Sequence, residues 1–94
     1  VFVWDEKKRE ANLVKHGFDF KDASLVYDNP AKLRIDSPRA GETRIKETAF
    51  VEMLDTILAL VYTERGDYVR IISFRRASRS ERNRYRQQDR LGAR

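Results

Sequence analysis

The stretch from Tyr68 to Tyr85, YVRIISFRRASRSERNRY, decides how the chain is read. Its first part is rich in β-branched and aromatic residues and reads as a strand. Ser78-Arg79-Ser80-Glu81 then matches the S-x-x-E capping box, so a turn and a terminal helix follow. Nine arginines fall between Arg70 and the C-terminus, against only Glu81 and Asp89. The whole chain carries +5 at pH 7, so the remainder is acidic on balance and the positive charge is local. A dense arginine field launched from a sheet calls for a polyanion, an acidic protein partner, or both.

Working back from that stretch, Glu64-Arg65-Gly66-Asp67 is a turn. Ile57–Tyr62 (ILALVY) is an unbroken apolar run suited to a central strand. Leu33 and Ile35 alternate with polar residues, as do Ile45, Ala49 and Val51, with Glu47 out of place among the latter. These two strands are bounded by the turn-rich segments Ser37–Gly41 and Leu54-Asp55-Thr56. Before Pro30 the period is helical. Asp5 caps a helix over Glu6–His16, Gly17 ends it, and Asp19 opens a second helix that Asn29-Pro30 stops. Ala11, Val14 and Phe18 are expected to form the buried stripe of the first helix, and Phe20, Ala23 and Tyr27 that of the second. Val1–Trp4 is a short edge strand. The terminal helix has few apolar residues, chiefly Tyr85 and Leu91. The expected architecture is a single α+β domain over residues 1–94, in the order β-α-α-β-β-β-β-α. It has a small antiparallel sheet with helices on one face.

Composition removes several classes of function. There is no cysteine and a single histidine, so disulfides and thiolate metal sites are excluded, and no spaced acidic cluster suggests a metal or other cofactor. The glycines form no phosphate-cradling loop, and Ser73 and Ser78 have no matched histidine for nucleophilic catalysis. No apolar run approaches the ~18 residues of a membrane span and no signal-peptide pattern is visible, so a cytoplasmic protein without a membrane partner is expected.

Two stretches, WDEKKREANLVKHGFDF (Trp4 to Phe20) and VYTERGDYVRIISFRRASRSER (Val61 to Arg82), resemble the BrnT family of bacterial toxins. The segment between them is similar in length and order, departing at Lys46-Glu47-Thr48, where the family pattern is more apolar. The resemblance implies a RelE-like fold and a ribonuclease activity that arrests translation. It also implies a BrnA-type antitoxin with a ribbon-helix-helix domain, through which alone operator DNA would be engaged.

Metal-free RNA cleavage needs a base for the 2′-hydroxyl, positive charge on the phosphorane, and an acid for the departing 5′-oxygen. Arg70 in mid-strand, expected to share a face with Phe74, reads as a phosphate clamp or as half of an ion pair with Glu47 or Glu64. Arg75, at the expected exit turn, is the second phosphate group. Lys8 and His16, on one side of the first helix with Asn12 and Lys15, are candidates for proton transfer; a solvated face ending in favourable charges reads the same way. Arg65, Arg76, Arg79 and Arg82 are candidate RNA contacts, and the arginines of the terminal helix suit RNA steering or antitoxin docking equally. The antitoxin is expected to land around the last strand and helix and mask the groove. The alternative is a non-catalytic basic module that binds nucleic acid or docks a partner.

Overall fold

The computed structural model describes residues 1–39 and 41–92, and shows a five-stranded sheet with three helices. The elements are β1 (Phe2–Val3), α1 (Glu6–His16), a 3₁₀ turn (Phe20–Asp22) leading into α2 (Ser24–Tyr27), and β2 (Leu33–Arg39). Then come β3 (Glu42–Val51), β4 (Thr56–Arg65), β5 (Tyr68–Arg76) and α3 (Arg79–Gly92). The sheet order is β1-β5-β4-β3-β2. All pairs are antiparallel except β1, which runs parallel to β5. The α+β class and the element order are those expected. Strands β2 and β4 run two or three residues further than the turn residues suggested, since paired backbone overrides local turn preference.

Local chemistry accounts for the helix ends. The Asp5 carboxylate accepts from the backbone N–H of Lys7 at 2.9 Å and of Lys8 at 3.3 Å, which satisfies two of the open donors of α1. Gly17 takes φ 80°, the left-handed conformation that closes the helix. At α3 the expected box is complete: the Ser78 N–H donates to Glu81 Oε1 at 2.7 Å and the Glu81 N–H donates to Ser78 Oγ at 3.2 Å.

The main core lies between one face of the sheet and the segment from α1 to α2. Leu58, Leu60 and Tyr62 of β4 meet Ile45 and Ala49 of β3, Val69, Ile71 and Phe74 of β5, and Phe20, Ala23 and Val26 from the helical layer. Ile57 and Ala59, the alternate residues of β4, face the other way and pack with Ala77, Tyr85 and Leu33. The third helix therefore covers the second face of the sheet, whereas all helices were expected on one. Tyr85 is its buried anchor; the Leu91 side chain lies outside the described residues. Glu47, wholly buried on the core face, is 2.9 Å from Lys32 Nζ. Lys32 in turn donates to the Tyr27 carbonyl at 2.6 Å and lies over the Tyr27 ring. Burial and the neighbouring Glu47 push the Tyr62 hydroxyl well above the usual phenol range.

The first helix docks differently from its apolar pattern. Val14 is 90% exposed, and Ala11 also faces solvent. The buried residue is Asn12, whose amide donates to the carbonyls of Phe18 at 2.9 Å and Phe74 at 2.7 Å, and whose oxygen accepts from the Phe74 N–H at 3.2 Å. β1 pairs with β5 only at Val69 and Arg70, so beyond that point the edge of β5 needs another partner. Asn12 meets both backbone groups of Phe74, as a strand would. Arg9, one turn earlier, forks onto Asp19 at 2.8 and 2.9 Å and holds that carboxyl down at about 2.

Replacing Asn12 by Ala should leave two buried carbonyls and an N–H unpaired and cost about 2–3 kcal/mol. Val14→Ser, in the position expected to be core, should change stability by no more than about 0.5 kcal/mol. Urea unfolding of both variants measures the contrast.

Candidate nucleic-acid interface

A bulge in β5 sets the site. Val61 pairs with Ser73 but Tyr62 pairs with Ile71, so Ile72 is extra and the alternation of β5 resets there. Val69, Ile71 and Phe74 thereby all reach the core, while Arg70 and Arg75 turn to the opposite face. Arg70 and Phe74 were expected on one face; the bulge separates them.

On that opposite face the register lines up three rows across the strands. Arg70 stands opposite Thr63, Thr63 opposite Arg44, and Arg44 opposite Ser37. The next row runs Ser73, Val61, Lys46 and Ile35; the third runs Arg75, Ala59, Thr48 and Leu33. Helix α3 packs over the third row through Ala59 and Leu33. The first two rows form an open shelf. Strands are spaced ~4.8 Å apart, so Arg70 and Arg44 are rooted about 10 Å from each other.

Lys8 joins this shelf. It lines a hollow of about 100 Å³ with Arg70, Arg44, Arg65, Glu42 and Thr63. Arg65 is engaged by Glu42 at 2.7 Å. Arg70 has no ion-pair partner among the described residues: Glu47 is on the core face with Lys32, and Glu64 is taken by Arg34 at 3.3 Å. Both acids named as ion-pair partners for Arg70 are therefore committed elsewhere. The Thr63 hydroxyl, between Arg70 and Arg44 and 2% exposed, has no hydrogen-bond partner among the described residues.

Arg75 is arranged differently. It is a strand residue, not part of an exit turn, and its guanidinium forks onto Glu81 at 2.7 and 3.0 Å. Lys46 Nζ reaches the same carboxylate at 2.9 Å. Arg75, the capping N–H of Ser78 and Lys46 together hold the Glu81 carboxyl far below the usual carboxylate range. Glu81 thus closes the capping box and also ties α3 to β5 and β3.

The four expected catalytic residues fall into two pairs. Lys8 and Arg70 share the hollow; His16 lies eight residues along α1, about 12 Å away by helix rise, beside Arg75. Loss of solvent, then the charges of Lys15 and Arg75, lower the His16 pKa, so the ring is neutral at pH 7. Of the expected RNA contacts, Arg65 is on the shelf rim. Arg76 and Arg82 instead line a separate hollow on the other flank of α3, and Arg79 is exposed at the first turn of α3. Arg44, Lys46, Glu42 and Thr63 were not singled out from sequence. The alternation of β3 puts Arg44 and Lys46 on its polar face, but only the strand order and the bulge bring them beside Arg70.

The family model described as "Ribonuclease toxin, BrnT, of type II toxin-antitoxin system" matches residues 4–81. That span runs from Trp4 to the Glu81 hub, and the chain belongs to this family. No curated protein matches the chain.

Glu81→Gln should lower stability at pH 7 by about 2 kcal/mol, since charge-assisted bonds to Arg75 and Lys46 weaken. Because the folded carboxyl titrates below its unfolded value, its contribution is complete above the ordinary glutamate range and fades as pH falls toward the depressed value. The gap between wild type and Glu81→Gln in thermal unfolding should therefore be widest near neutrality and close in strong acid.

Proposed function

We propose that this chain, as a member of the BrnT family of ribonuclease toxins, cuts RNA on the open shelf, with the scissile phosphate between Arg70 and Arg44. The observation that carries this reading is Arg70 itself: a mid-sheet guanidinium without an acidic partner among the described residues, facing Arg44 across a buried, unpartnered Thr63 hydroxyl. An unpaired buried hydroxyl costs about 1–3 kcal/mol, and a phosphate oxygen held by the flanking arginines would supply its partner. Guanidinium groups suit this task because their N–H forks match phosphate oxygens.

In this reading the 2′-hydroxyl oxygen attacks phosphorus while its proton passes to a base. Charge builds on the non-bridging oxygens beside Arg70 and Arg44, and the bond to the 5′-oxygen breaks as that oxygen takes a proton. The products are a 2′,3′-cyclic phosphate and a 5′-hydroxyl. Glu42 is the carboxylate of the hollow and is assigned as base; Lys8 is assigned as acid. Proton transfer thus moves from the Lys8–His16 pair to Lys8 and Glu42. Arg75 becomes a positioning residue that holds α3 through Glu81, and His16, neutral beside it, flanks the shelf. This reading calls on no metal ion: the positive charge on the phosphorane comes from Arg70 and Arg44, with Lys8 and Arg65 also lining the hollow. The consequence in the cell is arrest of translation in the cytoplasm, relieved by a BrnA-type antitoxin with a ribbon-helix-helix domain that carries operator binding for the pair.

Purified protein incubated with RNA in a chelator should yield fragments ending in cyclic phosphate. Arg70→Ala should lower the rate about 10²-fold or more with an unchanged melting temperature. Salt-sensitive RNA binding without any cleavage would instead establish the non-catalytic basic module. A folded Arg70→Ala variant of full activity would remove Arg70 from the site.

A further inference from the structure

A hollow of about 920 Å³ lies away from the shelf. It lies on the far flank of α3, where that helix meets the ends of β3, β4 and β5. Its floor is apolar: Phe50, Ile57, Ala77 and Tyr85 line it, and Phe50 is left partly open to solvent. Its rim is cationic. Arg82 and Arg86, one turn apart on α3, and Arg76 at the end of β5 stand over it, with Asp55 the one acidic residue of its lining among the described residues. Arg82 is steadied by donating to the Ala77 carbonyl at 2.8 Å, whereas Arg76 and Arg86 are exposed and have no acidic partner among the described residues. Immediately after Phe50 the chain exposes Met53 and Leu54 in the turn that leads to Asp55.

We infer that this hollow is where the antitoxin docks, and that the docking segment is an amphipathic stretch bearing apolar residues on one side and carboxylates on the other. The floor and the adjoining Met53 and Leu54 require side chains that fill apolar space, and aromatic residues, Met and Arg are the types enriched in protein–protein contacts. The surplus of arginine over aspartate sets the sign of the partner: carboxylates at the edges of its apolar stripe would meet Arg76, Arg82 and Arg86. A nucleic acid strand would also answer the arginines, since phosphate contacts do not discriminate. It would leave Phe50, Met53 and Leu54 without a matching surface, so the apolar part of the site favours protein. The inference rests on family membership, which brings an antitoxin, and not on the assignment of Arg70, Lys8 or Glu42. It also revises the expectation of a single masked groove: the partner grips α3 from the side opposite the shelf, and α3 is the element that Glu81 fastens to Arg75 and Lys46.

The test is isothermal titration of the purified cognate antitoxin into the full chain and into folded variants, beside the chelated RNA-cleavage assay. Arg86→Glu, at an exposed position, and Phe50→Asp should each weaken antitoxin binding about tenfold or more while cleavage stays within about twofold of wild type. Arg70→Ala should bind antitoxin as wild type does. Unchanged affinity in both Arg86→Glu and Phe50→Asp would overturn the inference. So would loss of affinity in Arg70→Ala, which would place the antitoxin on the shelf. If Arg86→Glu lost RNA cleavage and kept the antitoxin, the hollow would be an RNA path and the inference would again fall. Because titration uses no RNA, an inactive wild type would defeat the nuclease mechanism and leave the docking result to be read on its own.

Discussion

The extra residue at Ile72 is the constraint on which the rest of the molecule depends. A regular strand over Tyr68–Arg76 would put Arg70 and Phe74 on one face, and either the arginine would enter the core or the phenylalanine would leave it. Burying an unpaired guanidinium costs several kcal/mol, and exposing Phe74 forfeits about 2 kcal/mol of apolar burial. The bulge removes the conflict. Val69, Ile71 and Phe74 all pack inward while Arg70 and Arg75 share the outer face. Asn12 then takes both backbone groups of Phe74 just beyond the bulge, so the disturbed edge is held by the same helix that carries Lys8.

Much of this was legible in the residues, for identifiable reasons. Capping is local chemistry, so Asp5, Gly17 and the Ser78–Glu81 box located their helix ends. The unbroken run ILALVY marked the centre of the sheet because β4 is flanked on both sides and covered on both faces. The face of α1 was misread because an apolar stripe is evidence only for a helix that packs by apolar burial. This helix packs edge-on against β5 through Asn12, with Arg9 tied to Asp19, leaving Val14 in solvent. The side of the sheet taken by α3 was hidden for a related reason: its few apolar residues give no direction, and the decisive contact is the ionic hub at Glu81.

The candidate site was legible only in part. Arg70 could be singled out because a mid-strand arginine is anomalous, and Lys8 because of its helix face. What sequence could not supply was adjacency. Arg44 is opposite Thr63, and Thr63 opposite Arg70, only once β4 is known to lie between β3 and β5. The same geometry divides the arginine field, which looks uniform in sequence, into a shelf on one flank of α3 and an apolar-floored hollow on the other. One helix thus stands between the surface assigned to substrate and the surface assigned to the inhibitor, tied to the first through Glu81 and lining the second through Arg82 and Arg86.

The pairing of β1 with β5 has a consequence in time. Phe2 and Val3 lie beside Val69 and Arg70, so the earliest strand of this domain finds its neighbour only after nearly all the others have been made. Contacts of such separation in sequence form late. A chain still emerging from the ribosome has neither a completed sheet nor the arginine that finishes its first row. The sheet and its first row are therefore completed together, once the last strand is free.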